Sequence, residues 1–188
     1  MGNYNGGWEK LFENRLEVLK GFRRFLLVTD GDTSILEGLK GKVKVLVQRC
    51  LWHIPYQAKY VLWQDGVKHK SAEWLQVMSE LMEICAIRPL VDCEKTIKKM
   101  IESKRKRLES VIQYCLSKGY PHTASYLENA MPDMFTAIEK RLKGKTTSKV
   151  ERVMRTINMR VNVSKWSIAG ALNVTKIRLA YYYNGFDA

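Results

Sequence analysis

The sequence predicts an α/β fold that is mostly helical, and three features carry that expectation. A short continuous apolar run, Phe25-Leu26-Leu27-Val28-Thr29, stops abruptly at Asp30-Gly31-Asp32, as a strand buried on both faces does. A second strand candidate, Val43–Cys50, follows a stretch centred on Ile35, Leu36 and Leu39. Most of the remaining chain spaces its apolar residues at helical intervals. The opening order of helix, strand, short helix and strand implies parallel pairing through a crossover.

The first helix is expected over residues 7–20, where Trp8, Leu11, Phe12, Leu16 and Leu19 share one face and Gly21 stops the run. After Pro55 the pattern changes, and residues 56–143 offer helices but no strand. Asp92 is placed to cap a long helix whose apolar face uses Ile97, Met100, Ile101, Leu108, Val111, Ile112, Cys115 and Leu116. Gly119 and Pro121 end it, and Pro132 separates two further short helices. Gly144 opens a polar linker, GKTTSK, before helices at about 149–161 and 166–182. The expected organisation is a partial core over 1–55, a helical insertion over 56–143 and C-terminal helices over 144–188. Two strands fall short of a self-supporting sheet, so further strands are expected to be missing from this chain.

Composition narrows the function class. The chain has 188 residues, 46% of them hydrophobic, with 32 Lys+Arg against 19 Asp+Glu and a formal net charge of +13. That excludes a disordered tail and points to a polyanionic partner, nucleic acid first. No apolar run reaches the ~18–20 residues of a membrane span. The start MGNYNGGWEK matches neither a secretory signal nor a myristoylation site. Cys50, Cys85, Cys93 and Cys115 form no CxxC pair, which fits a reduced, cytoplasmic setting. Residues 92–165 hold 17 Lys/Arg and 8 Asp/Glu, so +9 of the charge lies there.

Three places could carry chemistry. Asp30 sits at the carboxyl end of a strand, where open α/β sheets place reactive groups, yet Asp-Gly-Asp also makes an ordinary turn with Asp32 or Thr33 as helix cap. Cys50 and His53 have a zinc-like spacing, but His69, Cys85, Cys93 and His122 supply no matching pair, so a buried thiol and a core histidine are the plainer reading. Glu151 is the single acid among nine Lys/Arg between 140 and 165, and Ser148-Lys149-Val150-Glu151 also reads as a capping box. The run Lys104-Arg105-Lys106-Arg107 is a solvated helix face or a phosphate-contacting one. Trp63, Trp74, Trp166 and Tyr181-Tyr182-Tyr183 could stack on bases, with core packing the default.

Taken in order, LLVTDGDTSILEGL, VLVQRCLWHIP and TTSKVERVMRTINMR, with WSIAGALNVTKIRLAYYY behind them, resemble the C-terminal two-thirds of a DDE-type transposase of the insertion-sequence kind related to the Mutator-like superfamily. The resemblance spans roughly residues 22–185. It implies a partial ribonuclease H-like core with an all-α insertion. It assigns Asp30 and Glu151 as the second and third catalytic, metal-holding acids, and Cys50 and His53 as a supporting motif. It implies Mg²⁺ or Mn²⁺ as cofactor, because phosphodiester chemistry of this class uses two hard cations held by carboxylates. The implied partner is terminal-repeat DNA, held by Lys104, Arg105, Lys106, Arg107, Lys145, Lys149, Arg152 and Arg155, with a nucleoid-associated cytoplasmic setting and a homo-oligomer compatible with it. No residue matches the first acid, since Glu9, Glu13 and Glu17 lie on a helix. The resemblance therefore implies a truncated chain that cannot cut DNA alone. The competing readings are a non-catalytic basic nucleic-acid-binding module and a helical protein-interaction domain.

Overall fold

The computed structural model describes residues 12–13, 16–21, 25–32, 34–39, 41–87, 94–142, 146–147, 152–153, 155 and 167–184. The chain divides into two compact units, Met1–Thr146 and Thr147–Ala188. The first unit runs α1 (Leu16–Lys20), β1 (Phe25–Thr29), α2 (Ser34–Glu37), β2 (Val45–Arg49), α3 (His53–Gln64), α4 (Ala72–Cys85), α5 (Glu94–Ser117) and α6 (Pro121–Ala130). A 3-10 turn, Met131–Asp133, then leads to α7 (Thr136–Glu139). The second unit contains α8 (Ile168–Asn184) and a helical stretch at Arg152, Val153 and Arg155. Among the described residues the chain is thus mostly helical with one small parallel sheet.

Both expected strands form. β1 coincides with the apolar run, β2 occupies the centre of the second candidate, and they pair in parallel with Phe25 opposite Val45 and Thr29 opposite Arg49. The ladder continues one step beyond, where the Cys50 amide donates to the Thr29 carbonyl at 2.7 Å. Burial departs from expectation. Phe25 to Val28 and Val45 to Val47 are half-buried, and within the strands Thr29 and Gln48 are the buried residues. The bundle makes its main contacts with the sheet through β2, at the 3-10 turn and α7.

Two strands in isolation are marginal, and packing against helices makes up the difference. Gln48 supplies the link. Its side-chain nitrogen donates to the Met134 carbonyl at 2.6 Å, and its side-chain oxygen accepts from the Ala137 amide at 2.8 Å. A fully buried amide with both ends paired ties β2 to α7 without an unsatisfied polar group.

The core lies among α3, α4, α5 and α6, with Ile54, Leu62, Leu81, Ile84, Leu108, Leu127 and Phe135 almost wholly excluded from water. α5 follows the expected stripe: Ile101, Leu108, Val111, Ile112 and Cys115 are buried, and Ile97 and Met100 pack at its margin. Leu116 does not join them. It is 47% exposed, because one residue beyond Cys115 turns the side chain about 100° away from the core. Gly119, at φ 74°, closes α5, and Pro121 opens α6 at a position where its missing N–H costs nothing. Pro55 likewise sits in the first turn of α3, which begins at His53. Asp92, the expected cap of α5, lies outside the described residues, as do Trp8, Leu11, Cys93 and Trp166.

The start of α6 is capped from a distance. The Asp65 carboxylate, in the loop after α3, accepts the His122 amide at 3.0 Å, the Thr123 amide at 2.8 Å and the Thr123 hydroxyl at 2.7 Å. The two amides are among the orphan donors that every helix N-terminus exposes, and a carboxylate there also meets the positive end of the helix dipole.

Candidate functional site

The carboxyl ends of β1 and β2 bring the first group of sequence-selected residues together. Asp30 leaves β1 on an exposed turn. Its Oδ1 accepts long hydrogen bonds of 3.3 Å from the Thr29 hydroxyl and the Asp32 amide. Asp32 in turn accepts the Ser34 amide at 2.9 Å, the capping role expected for it, and hydrogen bonds from Ser34 hold its carboxyl below the usual range. Gly31 adopts φ 118°, and a Cβ there would overlap the guanidinium of Arg49. The positive φ favours glycine here, and any side chain would also have to displace the Arg49 guanidinium.

Arg49, the last residue of β2, underlies this turn. Its guanidinium donates to the carbonyls of Asp30 at 3.4 Å and Asn129 at 3.1 Å, and pairs with Asp133 at 3.4 Å. Burial raises the Asp133 carboxyl above its ordinary value even though Arg49 pulls the other way. Two polar atoms near this pair, Arg49 Nε and the Tyr126 hydroxyl, are buried with no protein partner among the described residues. Burial, reinforced by the nearby Asp30, Cys50 and Cys85 side chains, pushes the Tyr126 hydroxyl up to about 12 against the opposing pull of Arg49.

The C-x-x-H motif forms the turn from β2 into α3. The His53 amide donates to the Cys50 carbonyl at 3.0 Å, Cys50 is fully buried, and the His53 ring meets Trp52 and Tyr56 edge-on at 5.0 and 6.1 Å. Among the described residues no three His, Cys, Asp or Glu side chains are grouped to hold a metal ion. Asp30 offers one hard oxygen ligand, which is not enough to fix Mg²⁺ or Mn²⁺ by itself. Glu151, Lys145 and Lys149 lie outside the described residues.

The basic run on α5 is spread around the helix, as four consecutive residues must be. Lys104 donates to the Glu83 carbonyl at 2.6 Å and closes the end of α4, where burial lowers its pKa. Arg105 pairs with Glu139 at 2.8 Å, Arg107 grips Glu80 through two nitrogens at 2.8 and 3.1 Å, and Lys106 meets Glu102 at 3.5 Å. Arg152 and Arg155 are exposed on their helical stretch.

Reasoning from sequence missed Gln48, Arg49, Asp65 and Asp133, whose partners lie far along the chain, and the buried hydroxyl of Tyr126. It singled out Trp63 for base stacking but passed over the face it shares with Trp52, Tyr56 and Tyr60, although their spacing was there to be read. Comparison with protein-family models, with curated proteins and with solved structures finds no match to this chain.

Proposed function

We propose that this chain acts in DNA transposition as part of a DDE-type transposase related to the Mutator-like superfamily, with a ribonuclease H-like core of which β1, α2 and β2 are a portion. The observation that carries the reading is the placement of Asp30. It is an exposed acid at the carboxyl end of a strand, parallel to a second strand that runs straight into Cys50-x-x-His53, with an all-helical segment behind. Ligands of parallel α/β sheets collect at that end. In this reading Asp30 and Glu151 are the acids that would hold Mg²⁺ or Mn²⁺, and Cys50 and His53 support the turn. Arg49 positions Asp30 by fixing the carbonyl beside it.

The test is metal binding by the full chain. Isothermal titration with Mn²⁺ should detect binding to the wild type that Asp30→Asn weakens by about tenfold or more, at least the loss typical of disturbing a metal site. Equal binding by both proteins overturns the metal role. With two of the family's three acids matched, the chain alone should not cleave terminal-repeat DNA in Mg²⁺; efficient Glu151-dependent cleavage would overturn that part.

A second reading has its own support. The hydrogen bonds around Asp30 and Asp32 are those of a self-contained turn and helix cap, which a non-catalytic nucleic-acid-binding module needs just as much. DNA binding that is metal-independent and unaltered in Asp30→Asn would favour it.

A further inference from the structure

We propose that the outer face of α3 is a stacking platform for the unpaired bases of a single-stranded nucleic acid. Trp52, Tyr56, Tyr60 and Trp63 recur at helical spacing along one face and are 51%, 38%, 47% and 74% exposed. Four aromatic rings in a row on the surface are an unfavourable arrangement in water unless something covers them. Two of the rings already stack, and Tyr60 meets the second of them edge-on, at 69°. Trp52 lies nearly parallel to Tyr56, with centroids 5.0 Å apart and planes at 17°, and Tyr60 continues from Tyr56 at 5.6 Å.

Charge selects the occupant. Lys59 holds its ammonium 3.9 Å from the centre of the Tyr56 ring and 4.8 Å from that of Tyr60, so the aromatic face carries its own cation, within reach of the phosphates of a strand laid along Trp52 and Trp63. Two hollows open beside the face, of about 560 and 420 Å³, and share Lys59, His69 and Trp74. Among the described residues no acidic side chain lines either one. Lys68 and Lys70 are exposed in the loop that carries His69, and Glu73 is the acid that adjoins Trp74 in sequence. An apolar protein segment would leave these cations unused, whereas a nucleic-acid strand uses both the rings and the charges. The strand must be unpaired, because bases in a duplex present edges to a protein rather than faces.

This proposal shares with the proposed function only the chemistry of the partner, and it needs neither Asp30 nor a metal. The experiment is fluorescence anisotropy of the full-length chain with a labelled oligothymidylate of roughly 15 nucleotides, a site size suited to such platforms, and with a duplex of equal length, across a salt series. The single strand should bind more tightly than the duplex. Trp63→Ala should weaken single-strand binding by about fivefold or more and leave duplex binding and the salt slope unchanged, as loss of one stacking contact does. Trp63→Phe should restore most of it, and Trp52→Ala should reproduce the loss. Circular dichroism on each variant reports folding. Trp63 is so exposed that its replacement should leave the spectrum unchanged.

A folded Trp63→Ala that binds the single strand as well as the wild type overturns the proposal. So does an equal loss on single strand and duplex, or binding of an amphipathic peptide without binding of the oligonucleotide. Failure of Asp30→Asn to alter Mn²⁺ binding would leave this result standing, so the two readings fail separately.

Discussion

At the scale of single residues, the end of β2 concentrates groups that only the folded chain explains. Arg49 reads in the sequence as one more cation of 32, yet it supports the Asp30 turn, lies against Gly31, and pairs with Asp133. Tyr126 behind it gives the cleanest test of this environment. Its hydroxyl is buried and without a protein partner among the described residues, so Tyr126→Phe removes an atom that contributes little stability. Urea unfolding at neutral pH should place the variant within about 0.5 kcal/mol of the wild type, or above it. Alkali should separate them. The unfolded tyrosine ionises near its ordinary value of 10.0, and the folded one holds its proton up to about 12. Between those values the unfolded state has released a proton that the native state retains, so this group's effect is to lower wild-type stability as pH rises. The phenylalanine variant lacks that component. Its stability relative to wild type should therefore be greater at about pH 11 than at neutrality, and a constant difference across that range would contradict the burial of the hydroxyl.

At the scale of elements, the chain is legible wherever the signal is local. The apolar run 25–29 is a strand to the residue, Gly119 and Pro121 mark the junction of α5 and α6, and the stripe of α5 follows the core. What the sequence does not expose is long-range polar pairing, and the cap of α6 is the plainest case. A local search finds Tyr120 before Pro121, a residue whose side chain accepts no N-terminal hydrogen bond, and would leave the helix uncapped. Asp65 fills the role from 57 and 58 residues away. The same blindness hides Gln48, whose partners Met134 and Ala137 are 86 and 89 residues distant. Asp65→Ala should therefore destabilise the protein by about 1–3 kcal/mol, more than an ordinary surface carboxylate, since Thr123 is left buried with an unmet hydroxyl and amide. Chemical denaturation of the full chain, compared with Asp65→Asn, checks both parts: asparagine keeps the acceptor and should recover part of the loss.

At the scale of the whole molecule, the two compact units raise the question of what each needs in order to fold. The answer follows from where the core closes. Among the described residues, every member of the main hydrophobic cluster lies between Leu51 and Phe135, the partly buried residues around it end at Ile138, and the Gln48 link that attaches the sheet is also internal to the first unit. The polar linker that follows, with Gly144 and two threonines, is the kind of segment at which units part. A domain that buries its apolar residues against one another carries its own cooperativity, whatever is attached to it. Residues 1–146 produced alone should consequently be soluble and helical and should melt in a single cooperative transition. Circular dichroism gives the helical content and the transition, and calorimetry tests whether the enthalpy is that of a two-state unit. A fragment with helical signal but no cooperative melt would mean that residues 147–188 complete the core, and that the cluster around Leu108 and Phe135 does not close on its own.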